Sequence, residues 1–153
     1  MTSALAILDD PWDTVAFAVD GLPIPQGHIR AFSNGGRIHY AHGSPGLKRW
    51  RTAVSSAAQA ACRVPTDRAV LVTVVFYMPR PKDHHRANGA LKVWAPAYPA
   101  VRPDVDRLAR AVLDAITGPI LADDAQVAAL EAHKVYADAI LTPGARVTVR
   151  VLG

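Results

Sequence analysis

A chain of 153 residues, half of them hydrophobic and a fifth charged, fits one globular domain long enough to bury a core. No apolar run is long enough to span a membrane, no basic segment precedes the first apolar residues as in a secretory signal, and the single cysteine, Cys62, excludes an intrachain disulfide and fits a reducing cytoplasm. The net charge of +4 is unevenly spread: residues 1–20 carry four acids and no Lys or Arg, residues 21–103 carry twelve Lys/Arg against Asp67 and Asp83, and residues 104–153 carry five bases and seven acids. The basic centre suits a polyanion such as nucleic acid, or else a solvated basic face.

Residues 1–13 are expected to form a flexible acidic arm, broken at Pro11. The alternation in Thr14–Val19 predicts a strand, and Pro23 and Pro25 keep the loop after it extended. Residues 28–40 read as a hairpin around Asn34-Gly35-Gly36, with Arg30, Arg37 and His39 beside Phe32 and Tyr40 on its arms. A helix is expected over 44–62, with Ser44 as N-cap and Pro45 at its first position. Its buried stripe is Leu47, Trp50, Val54, Ala57 and Ala61, which turns Lys48, Arg49 and Arg51 outward. Ala69–Met78 is apolar on both alternating faces and reads as a central strand. The long, proline-rich connection 79–100 holds Arg80, Lys82, His84, His85, Arg86, Lys92 and Trp94, and a connection this long is functional or disordered more often than scaffold. A helix follows from Asp104 to Thr117, stopped by Gly118-Pro119. Residues 126–137 suit a helix by propensity and a strand by pattern, and 145–152 alternate as a last strand.

Five aspartates, Asp104, Asp106, Asp114, Asp123 and Asp124, fall within this basic chain's residues 104–124. Asp104 and Asp106 stand at a helix entrance, where free N–H groups tolerate carboxylates. Asp106, Arg110 and Asp114 are spaced by four and share a helical face. Carboxylates from separate segments beside a cation fit Mg²⁺-assisted phosphodiester hydrolysis. Each also has a plainer reading: Asp104 as an N-cap, Asp114 as the partner of Arg110, Asp123-Asp124 as a solvated turn.

The stretch Arg102-Pro-Asp-Val-Asp-Arg-Leu-Ala-Arg-Ala-Val-Leu-Asp-Ala-Ile116, followed by Asp123-Asp-Ala-Gln-Val127, resembles the two-part signature of RusA-type Holliday-junction resolvases. Pro25-Gln-Gly27, the aromatic-basic run to Tyr40, the helix around Trp50 and Pro79-Arg-Pro-Lys82 extend the likeness over residues 15–152. The resemblance implies a single α/β domain from residue 14 to 153, with one small mixed sheet of about four to five strands and two main helices. It implies a homodimer that binds four-way DNA junctions and makes paired, Mg²⁺-dependent nicks, with Mn²⁺ as a possible substitute and no small-molecule cofactor. By position, Asp104, Asp106 and Asp124 are its metal-binding and catalytic carboxylates, and Asp123 stands beside them as a further metal candidate. Arg110 stands where the family has its catalytic lysine, and Arg107 where it usually has asparagine. By the same likeness, 126–137 is a strand.

The expected DNA contacts are Arg30, Arg37, Lys48, Arg49, Arg80, Lys82, Arg102 and Arg107, which grip phosphates without reading sequence. The 79–100 loop is a candidate to order on DNA, and Phe32, Tyr40 and Trp94 are candidates to stack on unpaired bases, with core packing or a dimer contact as the plainer use of each. His84 and His85 lack the second ligand pair that zinc requires. The readings that compete with a resolvase are a non-catalytic module for branched DNA, prompted by Arg107 and Arg110, and a metal-dependent nuclease acting on other branched nucleic acids.

Overall fold

The computed structural model describes residues 13–27, 30–41, 45–138 and 142–153, with Arg30–Phe32 and His39–Ala41 described by their backbone. The first twelve residues of the expected acidic arm and the expected N-cap Ser44 lie outside the described residues.

Among the described residues, six strands and two α-helices follow in the order β1 (Thr14–Asp20), β2 (Arg30–Asn34), β3 (Arg37–Ala41), α1 (Leu47–Ala61), β4 (Val70–Met78), α2 (Val105–Ile116), β5 (Val127–Tyr136) and β6 (Gly144–Val151). Four strands form one mixed sheet in the order β1-β6-β4-β5, and β2 and β3 form a separate hairpin. This is the small mixed α/β architecture with two main helices that the resemblance implies.

β4 is central, as its two-faced apolar sequence requires: it pairs antiparallel with β6 and parallel with β5. The parallel pairing of β4 and β5 needs a crossover, and the chain between them supplies α2 for it. The segment 126–137, ambiguous by pattern, is a strand because that parallel ladder captures it, against the helical propensity of its Ala, Leu, Glu and Lys.

One core joins one face of the sheet to both helices. Val70, Val72, Val74 and Phe76 of β4 and Val147 and Val149 of β6 are buried against Leu108, Ala111, Val112, Ala115 and Ile116 of α2 and Trp50, Val54 and Ala58 of α1. On α2 the buried stripe also takes in Ala109 and Leu113. On α1 the buried stripe runs through Ala58 instead of Ala57 and Ala61, and the helix begins after Gly46, which caps it at φ 84. The expected start at Pro45 is therefore two residues early, because the chain enters through a left-handed position that glycine adopts without strain. The hairpin turn is as expected: Gly35 and Gly36 have φ of 59 and 77, fitting a two-residue turn that matches strand twist. At Gly144 an added Cβ would lie 2.1 Å from the Val19 carbonyl oxygen, so only glycine lets β6 start against the end of β1.

Candidate active site

The first carboxylates stand at the entrance of α2. Asp104 is the N-cap, yet its side chain makes no capping hydrogen bond and stays exposed. Arg107 Nε lies 3.9 Å from it, at the outer limit of an ion pair. Asp106 lies exposed in the first turn, where the helix dipole favours a negative charge.

The chain leading into Asp104 is held from outside the motif. Lys134 of β5 donates through Nζ to the carbonyls of Val101 (2.8 Å) and Pro103 (2.9 Å). These are charge-assisted bonds to the backbone immediately before Asp104.

The second carboxylate pair sits in a 3-10 turn over Asp124–Gln126 that feeds β5. Asp123 accepts from the Ala125 N–H (2.8 Å), and the Gln126 side chain accepts from the Asp123 N–H (2.7 Å), a reciprocal capping box. Gln126 Nε2 also donates to the carbonyls of Thr66 (2.8 Å) and Arg68 (2.9 Å), which fastens the turn to the approach of β4. The turn thus aims Asp124 back at α2, where Arg110 meets it. Arg110 donates through Nε (3.1 Å) and Nη2 (2.7 Å) to Asp114 and through the same Nη2 to Asp124. The hydrogen bond and charge of Arg110 hold the Asp124 carboxyl below the usual carboxylate range. Asp124 and Asp114 in turn raise the Arg110 guanidinium, already always charged, further.

Asp106, Arg110 and Asp114 therefore share a helical face, as their spacing predicts, and Asp124 reaches that face one turn from Asp106. Among the described residues, no three acids or other ligating side chains stand close enough to form a metal cluster. Asp123 is turned into its capping box and Asp124 is claimed by Arg110. The donor chemistry nevertheless fits Mg²⁺: Asp104 and Asp106 offer exposed hard oxygens, and Mg²⁺ commonly takes only one or two carboxylates, with water and substrate phosphate completing its shell.

The expected DNA-contacting cations separate into two groups. Arg37, Lys48, Arg49, Lys82 and Arg102 are exposed, and Arg107 is half-buried beside Asp104. The side chain of Arg30 lies outside the described residues. Arg80 is already in use: its guanidinium lies 4.2 Å from the Tyr136 ring centroid and donates to the Pro96 carbonyl (2.8 Å). That arrangement organises the 79–100 loop. Lys92 N–H bonds to the His84 carbonyl (2.8 Å) and Arg86 N–H to the Ala90 carbonyl (2.7 Å). His84 is buried edge-on to Trp94 and Tyr136, each ring 5.4 Å away. The loop's composition hid this order because it rests on aromatic packing and a cation instead of a periodic apolar face. Trp94 keeps 60% and Tyr98 67% of its surface exposed.

Two residues that position the site were given no role in the sequence analysis of the motif. Gln126 had a readable signal, the Asp-x-x-Gln spacing of a capping box. Lys134 had none, since a lone lysine in an exposed strand gives no hint of two backbone acceptors.

The family model for endodeoxyribonuclease RusA matches residues 20–151. A protein of Bacillus subtilis (strain 168), described as the uncharacterized protein YqaN, is 26% identical over 128 residues, covering 82% of this chain and 90% of that protein. With the family pattern running from the end of β1 through the last residue of β6, the chain belongs to the RusA endodeoxyribonuclease family.

Proposed function

We propose that this protein is a cytoplasmic, homodimeric endonuclease that resolves four-way DNA junctions by paired, Mg²⁺-dependent phosphodiester hydrolysis. The observation that carries the reading is the pair of exposed carboxylates at the head of α2, Asp104 and Asp106, with Asp124 brought to the same helix by Arg110. Asp104 and Asp106 would hold the metal, with Asp124 as a third oxygen donor. Bound Mg²⁺ supplies Lewis-acid polarisation of the phosphate and activation of water. Asp123 shapes the turn that presents Asp124, and Lys134 fixes the approach of Asp104. Arg110 brings a planar donor fork suited to phosphate oxygens, so it serves as the cation that steadies developing negative charge. A two-fold dimer supports paired nicking, because it presents two equivalent sites to two symmetric strands.

One observation favours a second reading, a branched-DNA-binding module without catalysis: Arg110 occupies Asp124, and the acids stand apart. The two readings separate on a labelled synthetic four-way junction, with linear duplex and flap DNA as competitors at fixed salt. The resolvase reading expects symmetric nicks in Mg²⁺, none in EDTA, and preference for the junction. Tight junction binding with no nicking in Mg²⁺ or Mn²⁺ supports the binding module, and equal cleavage of flaps supports a nuclease of wider substrate.

A further inference from the structure

The polar side of α1 is as regular as its buried side. Lys48, Arg51, Thr52, Ser55, Ser56 and Gln59 recur at three- and four-residue steps and form one continuous stripe. The stripe carries two cations, three hydroxyls and an amide, and α1 contains no acid anywhere along its fifteen residues. Arg49, by contrast, lies off it.

All six of these side chains line one wall of an open groove of about 760 Å³. The facing wall comes from Gln26 and from Asp114, Ala115 and Thr117 at the end of α2. The single carboxylate among the lining residues is Asp114, which Arg110 already neutralises. Neither Lys48 nor Arg51 has an ion-pair partner among the described residues. Gln26 is held there by its N–H bond to the Arg107 carbonyl (3.0 Å), and its side-chain Oε1 is buried with no partner among the described residues.

The groove also continues the site. Asp124, Arg110 and Asp114 form an unbroken chain of ion pairs from the candidate active site to the groove wall. The groove therefore lies alongside elements that carry the candidate active site.

We infer that the α1–α2 groove is a tract for the DNA sugar-phosphate backbone flanking the scissile phosphate, with Lys48 and Arg51 neutralising phosphates and Thr52, Ser55, Ser56 and Gln59 donating to their oxygens. Lysine, arginine, hydroxyl and amide donors are the groups that proteins turn to phosphate and sugar, and they position a duplex without reading its bases. The inference rests on the proposed junction-cleaving function and adds the path of the substrate to it.

The test measures binding of a labelled four-way junction in EDTA across a salt series. Removing one cation that neutralises a phosphate makes the slope of log K against log salt shallower by about 0.9. The double variant Lys48→Gln/Arg51→Gln is therefore expected to flatten the slope by about 1.8, while Lys48→Arg/Arg51→Lys keeps it. Ser56→Asp, which removes no cation and places a negative charge in the groove, is expected to weaken binding. The double variant Arg146→Gln/Arg150→Gln, two exposed cations of β6 on the sheet face away from the helices, is the charge-matched control and keeps the wild-type slope. If the wild type binds and nicks the junction while the double variant keeps the same slope, the tract is overturned and the proposed function stands. If the wild type binds no junction, the proposed function falls and the tract with it.

Discussion

Arg110 stands one turn along α2 from Asp106 and bonds two carboxylates at once, Asp114 from its own helix and Asp124 from the turn beyond it. A lysine offers a compact ammonium with no planar fork and would not reproduce that bridge. Arg110→Lys is therefore expected to loosen Asp124 and to lower the Mg²⁺ concentration needed for half-maximal nicking. A magnesium titration of the nicking rate checks this, and an unchanged or higher requirement contradicts it. Lys134 acts at the same scale. Lys134→Met removes two charge-assisted bonds and frees the backbone before Asp104, so nicking should fall while junction Kd in EDTA stays near the wild-type value. Lys134→Arg should recover part of the rate, because a guanidinium can still reach two carbonyls. A matching fall in junction affinity would instead assign Lys134 to DNA binding. Of these site residues the aspartates and Arg110 were legible, because their spacing on α2 and the Asp-Asp-x-Gln turn are local. Lys134 was not, since its acceptors lie 33 and 31 residues away and only the parallel pairing of β5 brings them together.

Among the elements, the turn before β5 links stability to chemistry. Gln126 makes three hydrogen bonds: one closes the capping box and two reach the segment that enters β4. Gln126→Ala removes three hydrogen bonds, two of them exposed and the third to a Thr66 carbonyl that keeps the Ala122 N–H, and is expected to cost about 0.5–1.5 kcal/mol. Urea unfolding measures that cost, and nicking should fall further than stability alone explains, because the turn aims Asp124. A cost below about 0.5 kcal/mol would mean that water replaces the amide fully. The regular elements were largely readable: β1, β4, α2 and β6 follow their hydrophobic periods to within a residue or two at each end. Local pattern was insufficient where tertiary packing decides the conformation. The strand β5 is settled by the ladder with β4, the start of α1 by a left-handed Gly46, and the 79–100 loop by the packing of His84 between Trp94 and Tyr136.

Across the whole molecule, the uneven charge of the sequence acquires a geometry. The acids at the head of α2 sit in a chain whose residues 21–103 carry twelve cations, several exposed on the hairpin, on α1 and on the loop before Asp104. A phosphate backbone is attracted by that field, and hydrolysis requires a hard-oxygen site where the backbone docks. The central claim is that Asp104 and Asp106 form this site. Nicking of a labelled four-way junction should be compared for the wild type and Asp106→Asn in Mg²⁺, with junction binding measured in EDTA. The variant is expected to bind as tightly as the wild type or more so, since it removes a negative charge from the DNA-facing surface, and to nick at least about 100-fold more slowly, a loss typical of removing a group that stabilises the transition state. Nicking at the wild-type rate by Asp106→Asn, and likewise by Asp104→Asn, would contradict the claim.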